Sequence, residues 1–212
     1  MENPDIRIID PPNLGWIEKK LNKNEIIHLQ KCIDERCKKS HKKELAGNIH
    51  ESNSLVDINN WFFDNTLLSL CQIYADQFIN LGDKIPINQK HPYYLGKFWV
   101  NFQKENEFNP LHDHSGIYSF VIWMQIPTKH LEQNKNPIAL NSNSPKISSF
   151  EINYLNILGK IESYTYEMNP EIEGIMLFFP SEMKHQVYPF YNCDEDRISI
   201  SGNIFIDTKT IY

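Results

Sequence analysis

Apolar residues recur at every third or fourth position early in the chain and at every second position after residue 93. That change of period predicts helices first and strands afterwards. Ile26, Leu29, Ile33 and Cys37, with charged residues between them, predict one helix. Trp61, Leu67, Leu68, Cys71, Tyr74, Ala75 and Phe78 predict a second, capped by Asp57 or Asn60 and stopped in a left-handed turn at Gly82. Residues 1–23, which include Pro4, Pro11 and Pro12, read as an irregular or extended arm. From Tyr93 to Gln103 side chains alternate, with Phe98, Val100 and Phe102 on one face and Trp99, Asn101 and Gln103 on the other. Residues 117–126 are nearly all apolar, as for a strand covered on both faces.

More strands are expected at 150–158, 161–168, 175–179 and 197–206, with Gly159, Asn169-Pro170 and Gly174 marking turns. Residues 127–149, rich in Pro, Asn, Ser and Lys, read as a long exposed connector. The expected fold class is α+β, with helices packed against a β-sandwich or open barrel. With 212 residues, one domain is expected: an arm and supporting helices over 1–90 and a β core over 91–212.

Composition narrows the class of partner. A net charge of −6 gives no field to draw nucleic-acid phosphates, so a nucleic-acid partner is not expected. The basic run Lys38-Lys39-Ser40-His41-Lys42-Lys43 reads as the solvated face of a helix end. Cys32, Cys37, Cys71 and Cys193 form no CxxC pair and read as reduced thiols of a cytosol-like compartment. The longest apolar stretch, 120–126, is too short to cross a bilayer, and the polar amino terminus has no signal-peptide pattern. A cytoplasmic protein without a membrane partner is expected.

The candidate chemistry lies in His112-Asp113-His114, His185 and Arg197. On an extended segment, residues two apart share a face, so His112 and His114 aim at one point while Asp113 turns away. Imidazole binds transition metals as the neutral base near pH 7. A distant third histidine, His185, closes a facial site with open positions. Such a site suits mononuclear Fe(II), and zinc also accepts three histidines and a water. On the last strand Arg197, Ser199, Ser201 and Asn203 alternate with Ile198, Ile200, Gly202 and Ile204. If the polar face meets the cavity, Arg197 clasps a carboxylate in a bidentate contact and Ser199 adds a donor, as a dicarboxylate such as 2-oxoglutarate would need. His28, His41, His50, His91 and His130 lack such context and read as structural or solvent-facing.

Four stretches resemble the 2-oxoglutarate and Fe(II)-dependent oxygenases, in particular small bacterial and phage members grouped with prolyl hydroxylases. They are Trp99-Val-Asn101, Asn109-Pro-Leu-His112-Asp-His114-Ser-Gly116, Gly174-Ile-Met-Leu-Phe-Phe-Pro180 with His185, and Arg197-Ile-Ser-Ile-Ser-Gly-Asn203. The resemblance implies a double-stranded β-helix (jelly-roll, cupin-like) core with flanking N-terminal helices. It implies Fe(II), 2-oxoglutarate and dioxygen as cofactors, with succinate and carbon dioxide as coproducts. The substrate would be a peptide, prolyl above all, or a small molecule hydroxylated at a C–H bond. On this reading His112, His114 and His185 are the metal ligands, and Arg197, Ser199, Asn101 and Tyr118 face the cosubstrate. Most of the superfamily has Asp or Glu where this chain has His114, which leaves Asp113 as the alternative ligand. The connector 127–149 or the N-terminal helices would serve as lid. Two other readings stay open: a three-histidine cupin-type dioxygenase or isomerase that needs no 2-oxoglutarate, and a non-catalytic phage interaction protein with a degenerate site.

Overall fold

The structure is a computed structural model that describes residues 13–36, 39–86 and 91–209. Pro4, Pro11, Pro12, Cys37 and Lys38 lie outside the described residues. Ten strands and three α-helices, with short 3-10 and π-helical turns between them, make up the regular structure described, in the order β1 (Ile17–Lys20), α1 (Lys23–Asp34), β2 (Glu51–Ser54), α2 (Leu68–Gln77), β3 (Tyr93–Gln103) and β4 (Asn109–His112). There follow β5 (Tyr118–Gln125), α3 (His130–Gln133), β6 (Ser149–Leu155), β7 (Ile161–Glu167), β8 (Ile175–Pro180), β9 (Lys184–Val187) and β10 (Arg197–Ile206).

Two antiparallel sheets carry the fold. One has the order β1-β8-β5-β10-β3-β2 and the other β4-β9-β6-β7. Strands β3, β5, β8 and β10 lie in one sheet and β4, β6, β7 and β9 in the other, the distribution of the eight strands of a double-stranded β-helix, and β1 and β2 extend one sheet at its two edges. The period-two rule then divides each strand of the larger sheet. Phe98, Val100, Phe120, Ile122, Met176, Phe178 and Ile200 pack under α1 and α2. Val121, Trp123, Leu177 and Phe179 face Phe150 and Ile152 of the second sheet. The space between the sheets narrows to that second core at one end and stays open around the polar face of β10.

α1 starts at a capping box. Asn22 accepts from the Asn24 and Glu25 amides, and the Glu25 carboxylate accepts from the Asn22 amide. Glu25 is buried, and its charge is met by Lys19 at 3.0 Å and Thr66 at 2.7 Å. The entry to the second helix differs from its sequence pattern. Asp57 does cap, accepting from Phe62 N (3.0 Å) and Phe63 N (2.8 Å). A π-helical turn over Phe63–Leu67 then inserts an extra residue and rotates the buried stripe. Leu70 is buried in place of Leu68, which is 46% exposed. Gly82 is no left-handed stop: α2 ends at Gln77, and Gly82 sits inside the 3-10 turn Leu81–Lys84. The arm expected to be irregular or extended contains the extended strand β1, because the β8 edge offers it a partner.

The strands β3 and β10 begin and end where their alternation predicts. Gly202 is the point where β10 lies tightest: an added Cβ would stand 2.6 Å from the Phe120 ring and 2.8 Å from the Lys97 carbonyl. Gly202→Ala is therefore expected to cost about 1–3 kcal/mol through overpacking. A urea midpoint equal to that of the parent would contradict this packing.

Candidate active site

β4 and β9 pair so that His112 lies directly opposite His185. Two residues beyond the end of β4, His114 is held by a bond from its amide to the Ser181 carbonyl (2.8 Å). The turn that follows needs Gly116, whose φ of +116° brings its missing Cβ within 2.8 Å of the Ile204 carbonyl. The three rings converge, with centroids 5.0 Å (His112–His114), 4.2 Å (His112–His185) and 4.9 Å (His114–His185) apart. One ring nitrogen from each lies within 4.8 Å of the other two. His112 Nδ1 is bonded to the Pro110 carbonyl (2.7 Å) and His185 Nδ1 to the Met183 carbonyl (2.9 Å). Those bonds use the Nδ1 proton and leave Nε2 as the lone-pair nitrogen, the arrangement in which an imidazole ligates a metal, and on His112 that nitrogen meets Asn109 Nδ2 at 3.4 Å. Asp113, half-exposed, is engaged in an ion pair with Lys184 and is not among the three side chains whose donor atoms converge.

Burial keeps the three rings neutral. It lowers the pKa of His112, drives that of His185 well down, and brings that of His114 to about 4, with the neighbouring imidazole of His112 adding to the effect at His114. An unfolded chain takes up these protons as pH falls through about 6.5, whereas folded His114 resists until about 4. The metal-free protein therefore has the full benefit of the neutral ring above pH 6.5 and loses it progressively toward pH 4. The difference in stability between the parent and His114→Gln is expected to shrink across that interval. A difference that stays flat would contradict a depressed His114.

Arg197 closes the other end of the same cavity. It is 2% exposed, stacked on Phe190 with the guanidinium carbon 4.8 Å from the ring centroid. Nη2 donates to Ser148 Oγ (2.6 Å), Nη1 reaches the Tyr188 carbonyl at 3.5 Å, and Nε has no partner. Among the described residues no acid meets it, neither Asp194 nor Asp196. Burial pulls its pKa down to about 9, so it remains a cation at neutral pH. A buried guanidinium without a carboxylate is a costly arrangement unless a ligand supplies the anion. Ser199, Asn101 and Trp123 sit in one row across the sheet beside it. Asn101 Oδ1 and Trp99 Nε1 are both buried without a partner.

The cavity measures about 160 Å³, with the histidines and Arg197 in one lining. Tyr118 is outside that lining, a correction to its expected cosubstrate role. It is buried on the helix side of β5, 5.0 Å from Phe178 and 5.2 Å from Tyr74 between ring centroids. In a strand apolar on both faces, parity alone does not say which face meets the cavity, and Ser119 is the neighbour that turns inward, bonded to Asn203 and Ser181.

The sequence pattern also missed His41. It sits in the basic run read as a helix end, yet it is 7% exposed and stacks face to face on Trp99 (4.7 Å, 15°). Its segment is fixed over the cavity mouth by bonds from His41 N to the Ser52 carbonyl (2.8 Å) and from Asn48 N to the Phe108 carbonyl (3.0 Å). An ion pair between Glu44 and Lys97 (2.7 Å) adds to the rim. The mouth is thus bounded by residues 41–49. The 127–149 connector contributes Ser148 behind Arg197 as its hydrogen-bond partner, and no sequence signal links 41–49 to a strand some fifty residues on.

Among the described residues no helix is long and apolar enough to cross a membrane. Residues 97–203, half of the chain, match the family model described as "Putative 2OG-Fe(II) oxygenase". No curated protein matches the sequence. Among solved structures, the chain is similar to a 2OG-Fe(II) oxygenase family oxidoreductase from Burkholderia pseudomallei, at TM-score 0.56 and 11% identity over 90% of this chain and 85% of that one. It is similar to the alpha-ketoglutarate-dependent carbocyclase SnoK of nogalamycin biosynthesis, at TM-score 0.53 and 8% identity over 92% and 80%. A prolyl-4-hydroxylase from Pseudomonas putida matches at TM-score 0.49 and 14% identity over 92% and 94%. The chain belongs to the 2OG-Fe(II) oxygenase family, which uses Fe(II), 2-oxoglutarate and dioxygen.

Proposed function

We propose that the protein is a hydroxylase in which His112, His114 and His185 hold Fe(II), Arg197 and Ser199 hold the far carboxylate of 2-oxoglutarate, and a peptide presents the C–H bond. The observation that carries this reading is the buried Arg197 without an acid, in the same 160 Å³ cavity as three converging neutral imidazoles. A three-histidine cupin chemistry without 2-oxoglutarate would leave that cation unexplained.

When bound, iron with 2-oxoglutarate and dioxygen supplies the oxidation that turns the cosubstrate into succinate and carbon dioxide and hydroxylates the substrate. The chain's own part is binding, orientation and exclusion of water. The His112 and His185 rings are aimed by their Nδ1 bonds to backbone carbonyls. Arg197, fixed by Phe190 and Ser148, gives the dicarboxylate one polarity, with its 2-oxo acid end toward the histidines. Phe150 and Phe179 pack against His185 at 5.6 and 5.1 Å and keep that side dry.

The peptide reading rests on size and on hydrogen-bonding valence. Drug-sized ligands occupy pockets of roughly 300–1,000 Å³. A cavity of about 160 Å³ takes a small dicarboxylate and leaves the body of the substrate at the mouth, where residues 41–49 meet it. Asn101 Oδ1 and Asn109 Oδ1 are buried acceptors without donors. A dicarboxylate has no donor to offer them, whereas a peptide backbone carries N–H groups. A prolyl residue flanked by ordinary amides fits these terms.

The test is succinate formation and mass spectrometry with Fe(II)-loaded protein and a peptide library. The expected result is succinate in proportion to peptides that gain one oxygen. Oxygen gain confined to free amino acids or other metabolites would overturn the peptide class, and no succinate with any substrate would overturn the hydroxylase.

A further inference from the structure

A second cluster of ligating side chains lies outside the oxygenase cavity, where α1 meets the entry to α2. His28 and Cys32, one turn apart on α1, share a face, and Asp57 comes from the loop ahead of the second helix. His28 Nε2 is 2.8 Å from Asp57 Oδ1 and 3.4 Å from Cys32 Sγ, and one donor atom from each residue lies within 4.8 Å of the other two. Protons alone satisfy only half of this arrangement. If Nε2 carries the proton, it serves Asp57, and the thiol loses the ring nitrogen as an acceptor while keeping its contact with the Ile58 backbone. If it does not, the thiol can donate, and the ring nitrogen then faces the Asp57 oxygen lone pair to lone pair at 2.8 Å.

A cation resolves the conflict, since all three atoms become donors of electron pairs to one centre. Zinc bonds of about 2.0–2.3 Å to nitrogen, oxygen and sulfur set the donors about 3.3–3.7 Å apart in a tetrahedron. The nitrogen–sulfur pair already fits, and the nitrogen–oxygen pair opens by about 0.5 Å. Asp57 is held for the purpose by the Phe62 and Phe63 amides, which is the supporting contact a ligating carboxylate uses. Trp61 covers the His28 ring at 4.8 Å.

We propose that His28, Cys32 and Asp57 form a structural site for a thiophilic divalent cation, Zn²⁺ foremost, with water as fourth ligand. Binding releases the Cys32 thiol proton to solvent and ties α1 to the start of α2. The site is independent of the oxygenase assignment, since it shares no residue with the cavity.

Co²⁺ titration of the full chain tests it, in a His112→Ala/His185→Ala background that removes the other cluster. The oxygenase histidines include no sulfur, so a sulfur-to-cobalt charge-transfer band in the near ultraviolet reports a cysteine ligand, and its loss in Cys32→Ser assigns it to this site. The expected result is one equivalent of Co²⁺ bound with that band, its loss in Cys32→Ser and in His28→Gln, and a Tm raised by Zn²⁺ in the Cys32 parent only. His28→Gln decides where Cys32→Ser does not fold. No band at saturating Co²⁺, or a band that survives either variant, overturns the proposal.

Discussion

Arg197→Met is expected to raise the thermal stability of the cofactor-free protein while weakening 2-oxoglutarate binding by about 30-fold or more. The two effects share one cause. The guanidinium is buried, meets no acid and keeps an unpartnered Nε, so the folded protein carries the desolvation of a cation that only a ligand repays. Replacing a buried charge by an apolar side chain of similar volume is commonly neutral or stabilising by about 1–4 kcal/mol. Methionine keeps the contact with Phe190 and removes the cation. Loss of a desolvated charge pair to the cosubstrate costs about 2–5 kcal/mol, which is roughly 30-fold or more in affinity. Calorimetry of 2-oxoglutarate binding and a melting curve on the same sample check both halves. A variant that melts lower and binds 2-oxoglutarate like the parent would show that Arg197 is a structural cation.

His185→Ala is expected to lose stoichiometric iron and all succinate formation, with the sheet intact. Loss of a group that merely supports a metal ligand costs about 10–100-fold in affinity, and loss of a ligand costs more. His185 is the member to choose because its burial is nearly complete and its neighbours Phe150 and Phe179 are apolar. No nearby side chain can substitute for it, and Asp113 is committed to Lys184 on the outside. Iron content by mass spectrometry with far-ultraviolet circular dichroism reads the outcome. A folded variant that keeps one iron would remove His185 from the ligand set.

The sequence was most informative where two periodicities agreed. On β3 and β10 the alternation assigns Asn101 and Ser199 each to a polar face, and the structure makes the two cross-strand neighbours. The spacing of His112 and His114 likewise predicted that Asp113 would turn outward. Legibility failed where the pattern was degenerate. β5 is apolar on both faces, so Tyr118 could be assigned to the cavity although it packs beneath α2. The π-helical turn before α2 adds one residue and moves burial from Leu68 to Leu70, which a fixed 3.6 period does not register. His41 depends on a stack with Trp99 across more than fifty residues of sequence. Its local surroundings are lysines, and they describe a solvated surface.

The most direct test is anaerobic titration of the protein with Fe(II) and 2-oxoglutarate, monitored in the visible spectrum. Chelation of iron by the 2-oxo acid gives a charge-transfer band that needs both the imidazole cluster and the anchored cosubstrate. The band is expected to saturate at one iron and one 2-oxoglutarate per chain, to vanish in His185→Ala, and to require far more 2-oxoglutarate in Arg197→Met. A parent protein that gives no band, or a band untouched by either substitution, would contradict the assembly of iron and 2-oxoglutarate at this cavity.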